Sequence, residues 1–144
     1  MNTSISDFLK EQTCASICVV DAAGKPYCFS CFYVFDPAEG LLCFKSSIDT
    51  YHMQLIKNNP NIAGTVLPDK LNKVMIKGIQ FEGCVLSIQH HLAGNGCKLY
   101  VKKYPMSLAI PGKVWAIQVN MVKLTDSSKV FGKKTIWNRA ELVV

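Results

Sequence analysis

The spacing of apolar and polar residues along the chain predicts a mainly β protein with short helices. Apolar, β-branched and aromatic runs that are separated by Asp, Asn, Gly and Pro residues indicate strands. The predicted strands cover residues 14–20, 27–35, 41–45, 62–67, 74–89, 114–124 and 133–138. Apolar residues at helical spacing, with capping residues, predict helices over residues 4–12, 50–58 and 97–104. Six or seven short strands with peripheral helices fit a closed antiparallel β-barrel.

The fifth predicted strand contains two glycines, Gly78 and Gly83. Glycine weakens the interior of a strand, and there it marks a bulge or the close approach of another backbone or a ligand. We therefore expect the strand over residues 74–89 to be irregular at these two positions.

The composition indicates one folded domain over residues 1–144. Hydrophobic residues make up 49% of the chain and charged residues 18%, which supplies a full core and argues against disorder. The low charged fraction also suggests apolar surface that another copy of the chain covers. Seven cysteines, an odd number, favour a reducing compartment over a disulfide framework. Without a leader-like start or a long apolar run, we expect a cytoplasmic protein with no membrane-spanning helix.

The net charge of +6 arises from 16 Lys and Arg residues against 10 Asp and Glu residues. Only one of these cations, Arg139, is an arginine, whereas proteins that read nucleic-acid bases favour arginine forks. The lysines are scattered, apart from the pairs at 102–103 and 133–134. The basic excess therefore argues for a solvated basic surface, or for positive potential near an anionic small molecule, and against nucleic acid.

Cysteine and histidine motifs in the chain do not predict a metal site. Cys28 and Cys31 match C-x-x-C, but residues three apart on a strand point to opposite faces, so we interpret both as small buried hydrophobic residues. The adjacent His90 and His91 are expected to diverge for the same reason and to lie on the surface. No known catalytic signature is found, and the sequence assigns no catalytic residue.

The segment over residues 45–52 is the candidate site for an anion. It contains a cation, three hydroxyl groups and two further polar side chains: Lys45, Ser46, Ser47, Thr50, Tyr51 and His52. The segment also opens a predicted helix, and a helix start binds anions through free N–H groups and a partial positive charge. Ordinary capping of the helix by Ser47, Asp49 or Thr50 explains the same residues equally well.

A family resemblance extends this interpretation. The runs LLCFKSSIDTYHMQLIKNNPNIAGTVL, VMIKGIQFEGCV and VKLTDSSKVFGKKTIW resemble the FMN-binding split-barrel family typified by pyridoxamine 5'-phosphate oxidase, in particular a small, uncharacterised bacterial branch. The resemblance covers almost the whole chain and keeps the order of its elements. It implies a six-stranded antiparallel Greek-key split barrel that works as a homodimer, with FMN in the groove between protomers.

The resemblance implies where the FMN phosphate would bind. In the family, hydroxyl residues at the end of a strand and the helix that follows hold the phosphate, and Ser46 and Thr50 match those positions. Two basic family positions follow, and in this chain they are Tyr51 and His52. Lys45 and His52 are then the groups that can offset part of the lost positive charge.

The flavin ring is implied to lie beside the second strand. The stretch that includes Cys31, Phe32 and Tyr33 matches the strand that runs along the ring in the family. Gln80 shares a strand face with Gly78 by period two, and it is the candidate for a hydrogen bond to the polar edge of the ring.

The C-terminal strand is implied to approach the flavin of the partner subunit. Lys133 and Trp137 match a region that often reaches that flavin in the family. For Trp137, packing in the dimer interface is an equal alternative.

These expectations combine into one leading hypothesis, an FMN-binding homodimer and candidate flavin-dependent oxidoreductase whose substrate is unknown. The flavin would carry the redox chemistry and the protein would hold it. Oxidation of pyridoxamine phosphate itself is not expected, because the chain is short and lacks basic residues for a second phosphate. The alternative is a non-enzymatic binding or sensor module of the same barrel for haem, a deazaflavin or another cofactor. Nucleic-acid binding is the least supported hypothesis.

Overall fold

A computed structural model describes residues 1–129 and 132–142 of the chain. Seven strands and three α-helices are formed, with three short 3₁₀ turns. The strands are β1 (Cys14–Val20), β2 (Pro26–Asp36), β3 (Leu41–Ser46), β4 (Asn61–Val66), β5 (Lys77–Val85), β6 (Lys113–Asp126) and β7 (Lys133–Asn138). The helices are α1 (Thr3–Glu11), α2 (Tyr51–Asn58) and α3 (Gly96–Lys103), and the 3₁₀ turns cover His91–Asn95, Pro105–Ala109 and Arg139–Leu142.

The strands form one antiparallel sheet in the order β3-β2-β1-β4-β5-β6-β7, and a further pairing of β3 with β6 closes six of them into a barrel. The neighbouring order β4-β1-β2-β3 is that of a Greek key. One edge of the long β6 pairs with β5, and the other edge pairs with two strands in turn: Lys113–Gln118 with β3, and Met121–Asp126 with β7. The predicted six-stranded antiparallel barrel with peripheral helices is confirmed.

The fifth strand is shorter than the sequence pattern predicts. It covers Lys77–Val85 rather than residues 74–89, because Val74, Met75 and Ile76 precede the pairing with β4 and β6 and are exposed to solvent. The apolar run over residues 74–89 therefore did not predict the ends of β5. The expected irregularity is present at Gly83, where the register against β6 shifts between Glu82 and Gly83.

Two helices close the barrel core. The buried apolar residues of α1 (Ile5, Phe8 and Leu9) and of α2 (Met53, Leu55 and Ile56) belong to the same cluster as the inward-facing strand residues. A second, smaller cluster lies between α3 and the outer face of the sheet, where Tyr100 packs with Val34, Leu41, Cys43 and Ala116. No helix in the described part of the chain is both long and apolar enough to cross a membrane.

Candidate functional site

The turn between β3 and α2 is held by its own hydroxyl groups. Thr50 is the N-cap of α2, and its Oγ1 accepts a hydrogen bond from the Met53 backbone N–H at 3.4 Å. The same hydroxyl donates to the Ser47 carbonyl at 3.0 Å, and the Ser47 Oγ accepts from the Asp49 N–H at 3.5 Å. The capping role predicted for this segment is therefore performed by Thr50.

Three predicted residues converge beside this turn. The Ser46 Oγ lies 2.8 Å from His52 Nε2 and 3.3 Å from Thr50 Oγ1, so the serine joins the end of β3 to the first turn of α2. The indole Nε1 of Trp115 donates to the Ser46 carbonyl at 3.0 Å and fixes the backbone. The result is a small polar cluster, Ser46–Thr50–His52, at a helix start whose first N–H groups have no acceptor within the helix.

His52 is held in this cluster by an aromatic stack. Its ring lies parallel to the ring of Phe29, with centroids 3.8 Å apart and an interplanar angle of 10°. Burial against the barrel lowers the pKa of His52 below its ordinary value, because the charged imidazolium loses solvation. The imidazole is therefore neutral near pH 7, and His52 does not replace a permanent cation.

A second aromatic contact joins α2 to the same strand. Tyr51 packs edge-to-face on Tyr27, with ring centroids 5.0 Å apart. The start of α2 is thus anchored on β2 at two residues two positions apart, Tyr27 and Phe29. Neither was among the predicted site residues, although period-two alternation along β2 places both on the same face.

The first half of β2 has one free edge next to this cluster. Residues Pro26 to Phe32 pair only with β1, whereas pairing with β3 covers only Tyr33 to Asp36, within the described residues. The Tyr33 N–H donates to the Thr13 carbonyl on the β1 side. Backbone groups alternate between the two edges of a strand, so those of Cys28 and Ser30 point to the free edge. This edge offers a row of donors and acceptors to a flat ligand.

Lys45 does not join the cluster, which corrects the sequence-based expectation. Neighbouring residues on a strand face opposite ways, and Ser46 faces His52 while Lys45 lies on the other side of β3. There the Lys45 ammonium donates to the Ser107 carbonyl at 2.6 Å. Its charge therefore supports the 3₁₀ turn over Pro105–Ala109 rather than the helix start.

The three consecutive residues predicted to lie beside a flavin ring separate on β2. Tyr33 is buried in the core and its hydroxyl donates to the Leu9 carbonyl at 2.8 Å, so its side chain cannot reach a ligand on the surface. Cys31 packs against the core, and burial, with a smaller contribution from Cys14, raises its pKa to about 12. Only Phe32 points outward, with 61% of its surface exposed.

The remaining predicted residues lie away from the cluster. Gln80 is exposed on the outer face of β5, in a shallow depression that Cys28 also lines. Lys133 is exposed at the first position of β7, opposite Asp126. Trp137 packs against the core of its own barrel, and its buried indole Nε1 has no hydrogen-bond partner among the described residues.

Two motif interpretations need correction. Cys28 is exposed rather than buried, because it occupies an outward position of β2. His90 and His91 do not diverge: their rings stack with centroids 4.5 Å apart, and His90 Nδ1 accepts from the Leu92 N–H at the start of a 3₁₀ turn. Within the described residues, no three His, Cys, Asp or Glu side chains are grouped to hold a metal ion.

Solved structures of low sequence identity share this barrel. A haem-binding protein from Mycobacterium smegmatis has a TM-score of 0.77 over 96% of this chain and 59% of that chain, at 9% identity. HutZ, the haem storage protein of Vibrio cholerae, has a TM-score of 0.64 over 94% and 92%, at 13% identity. An F420 reductase has a TM-score of 0.59 over 81% and 94%, at 16% identity. At these identities, the likeness shows the split-barrel fold alone.

Sequence relatives cover nearly the full chain. The UPF0306 protein of Photorhabdus laumondii is 31% identical over 135 residues, which are 94% of each chain. The UPF0306 protein of Enterobacter sp. strain 638 is 30% identical over 138 residues, or 96% of each chain. No protein-family model matches the chain. The identity and coverage of these relatives show that the chain belongs to the UPF0306 family.

Proposed function

We propose that this protein binds FMN as a homodimer and acts as a flavin-dependent oxidoreductase. The observation that carries the proposal is the juxtaposition of the Ser46–Thr50–His52 cluster with the free edge of β2. The cluster lies at a helix start and suits a phosphate, and the free edge suits the polar rim of a planar ring. The stacks of His52 on Phe29 and of Tyr51 on Tyr27 hold the two parts against each other.

The donors at the helix start fit a phosphate group. The Ser46 hydroxyl can rotate toward an anion, His52 Nε2 adjoins it at 2.8 Å, and the N–H groups of Tyr51 and His52 at the start of α2 have no acceptor within the helix. No lysine or arginine belongs to this donor set. The proposed site therefore binds the phosphate through hydrogen bonds and the helix dipole, and we expect a modest affinity compared with sites that use arginine.

The free edge of β2 would hold the ring. Backbone N–H and C=O groups of Cys28 and Ser30 pair with no strand among the described residues and can hydrogen-bond the polar rim of an isoalloxazine. Bound FMN would supply hydride or electron transfer, and the described side chains would orient it. Gln80 and Trp137 stay part of the proposal as ring contacts from the partner subunit, because both lie away from the free edge of β2 in their own chain.

A homodimer is supported by apolar surface that the single chain leaves exposed. The connection between β4 and β5 presents Leu71 at 72%, Val74 at 89% and Ile76 at 64% exposure. Exposed apolar residues this close in sequence are typical of protein contact surfaces. A second copy of the chain is the occupant we propose, in agreement with the low charged fraction of the sequence.

The alternative is a haem or deazaflavin module. It is supported by the solved split barrels of similar structure, which include haem-binding proteins and an F420 reductase. The neutral imidazole of His52, which stacks on Phe29 of β2, is a side chain that could coordinate haem iron.

One experiment separates these possibilities. The full chain is purified, its visible spectrum is recorded, and any ligand released by denaturation is identified by mass. FMN in the released fraction, or an FMN-dependent rise in melting temperature of the ligand-free protein, supports the proposal. Released haem or deazaflavin would favour the alternative, and a colourless protein whose melting temperature FMN leaves unchanged would refute the proposal.

A further inference from the structure

The outer face of the β1–β2 hairpin carries two cysteines directly opposite each other. Cys18 is in register with Cys28, so both side chains lie on the same face of the hairpin. The C-x-x-C pattern conceals this pair, because the partner of Cys28 lies across the hairpin rather than three residues along the strand. The neighbouring residues Ser16 and Ser30 are paired in the same way, with hydroxyl oxygens 3.4 Å apart.

The hydrogen-bond alternation of the hairpin places the two cysteines at a position where a disulfide can form. Asp21 donates its N–H to the Lys25 carbonyl at 3.0 Å, which makes that pair a hydrogen-bonded one. Counting back three pairs makes Cys18–Cys28 a non-hydrogen-bonded pair, for which Cα atoms are about 4.5 Å apart. Disulfides have Cα separations of about 4.4–6.8 Å, so a bridge needs no rearrangement of the fold.

The pair is accessible from one side. Cys28 is exposed and Cys18 is half-buried, and both line a depression of about 380 Å³ with Ser16, Ala63, Thr65 and Gln80. Small side chains dominate this lining, so a small molecule can reach the sulfurs. Burial, and then the contact with Cys28, raises the pKa of Cys18. The more exposed Cys28 is therefore the thiol that reacts first, and Cys18 is the resolving thiol.

We propose that Cys18 and Cys28 form a reversible redox pair that exchanges with low-molecular-weight disulfides. The Cys28 thiolate attacks one sulfur of the external disulfide, forms a mixed disulfide and displaces one thiolate. The Cys18 thiolate then attacks the Cys28 sulfur and displaces the second thiolate. Two cysteine thiols are oxidised to one disulfide, the external disulfide is reduced to two thiols, and the two cysteine protons pass to the leaving thiolates.

The bridge is expected to be easily reduced again. Cys28 is exposed to solvent, and exposed disulfides are among the labile ones. Because Cys28 lies between Tyr27 and Phe29, the bridge would form in the stretch of β2 on which α2 is anchored.

The test uses the full reduced chain in buffers of oxidised and reduced glutathione. After alkylation of free thiols, the intact mass should show a species with five alkylated cysteines and one bridge. Cleavage before aspartate separates Cys18 from Cys28 at Asp21, so the bridge should join the peptides 7–20 and 21–35. Each peptide holds a second cysteine, Cys14 or Cys31, so fragmentation of the linked pair should place the bridge between Cys18 and Cys28. Seven free thiols at every glutathione ratio, or a bridge that uses other cysteines, would overturn the proposal.

Two serine variants test the order of the steps. Cys18→Ser removes the resolving thiol, so glutathione should stay attached to Cys28. Cys97→Ser, which changes an exposed cysteine on α3, should leave the bridge as in the unchanged chain. A persistent glutathione adduct on Cys28 when Cys18 is present would contradict the proposal. The measurement on the unchanged chain decides the matter if a variant does not fold, and it requires no bound cofactor.

Discussion

The Arg139 guanidinium spans the corner of the barrel at Gly40. Its Nη2 donates to the Gly40 carbonyl at 2.9 Å and to the Glu39 carbonyl at 3.0 Å, while its Nε donates to the Val119 carbonyl at 2.8 Å. At this corner the edge of β6 passes from pairing with β3 to pairing with β7. Arg139 therefore links β3 and β7, the two strands that share this edge of β6, at the point where neither of them continues.

Substitution of Arg139 by lysine should destabilise the fold. A single ammonium cannot reach three carbonyl groups in the geometry of the planar fork, so at least one of these charge-assisted hydrogen bonds is lost. We expect a loss of about 1–3 kcal/mol in the free energy of unfolding, measured by urea titration. Lys134→Met, at an exposed position of β7, should change it by less than about 0.5 kcal/mol. Equal unfolding midpoints for the two variants would refute this role of Arg139.

Two glycines allow the contact with Arg139 to be measured separately from backbone strain. Gly40 and Gly24 both have positive φ angles, +65° and +78°. A Cβ on Gly40 would lie 2.6 Å from Arg139 Nη2, whereas a Cβ on Gly24 would have no neighbour within 4 Å. Both alanine variants should lose stability through strain, and Gly40→Ala should lose about 1 kcal/mol more. In an Arg139→Lys background this difference should shrink, and a difference that stays the same would count against the contact.

The pKa of His52 should make stability depend on pH. Burial lowers this pKa in the folded protein below the ordinary value of 6.5. As the pH falls below about 6.5, the unfolded chain binds a proton that the folded chain resists, so stability is lost. The free energy of unfolding should therefore fall between pH 7 and pH 5. The drop should be smaller in His52→Phe, which keeps an aromatic ring on Phe29, and unchanged in His91→Gln. An equal drop in all three proteins would show that His52 is not responsible.

Much of the local structure could be predicted from sequence, because its causes are local. Alternation along β1 and β6 and the capping chemistry at Thr50 are properties of short segments. The ends of β5 were wrong, because residues 74–76 have the composition of a strand but pair with none. A partner strand, which no local pattern reveals, decides where β5 begins.

The candidate site was predictable only in part for the same reason. Ser46, Thr50 and His52 lie within seven residues, and their convergence follows from one turn. The stack of His52 on Phe29 joins residues far apart in the chain, and it depends on how β2 passes the start of α2. Period two alone would have placed Lys45 and Ser46 on opposite faces of β3, so the position of Lys45 was available from the sequence.

The chain should be a dimer in solution. Sedimentation of the purified protein should give twice the chain mass of 16.0 kDa. Replacing Leu71 and Val74 together by lysine should shift the mass toward the monomer, because both side chains are exposed on the surface that we propose a second copy covers. Met106→Lys, an exposed apolar position on the 3₁₀ turn over Pro105–Ala109, serves as the comparison and should leave a dimer. A wild-type mass of one chain would refute the homodimer.

The most direct test of the central claim compares FMN binding by two variants of Thr50. Asparagine and aspartate both cap helices well, so Thr50→Asn and Thr50→Asp should keep α2, but only aspartate places a negative charge beside the proposed phosphate. Titration of ligand-free protein with FMN, followed by flavin fluorescence, should give Thr50→Asp a dissociation constant at least about tenfold above that of Thr50→Asn, or about 1.4 kcal/mol. Equal, measurable affinities in the two variants would contradict phosphate binding at this helix start.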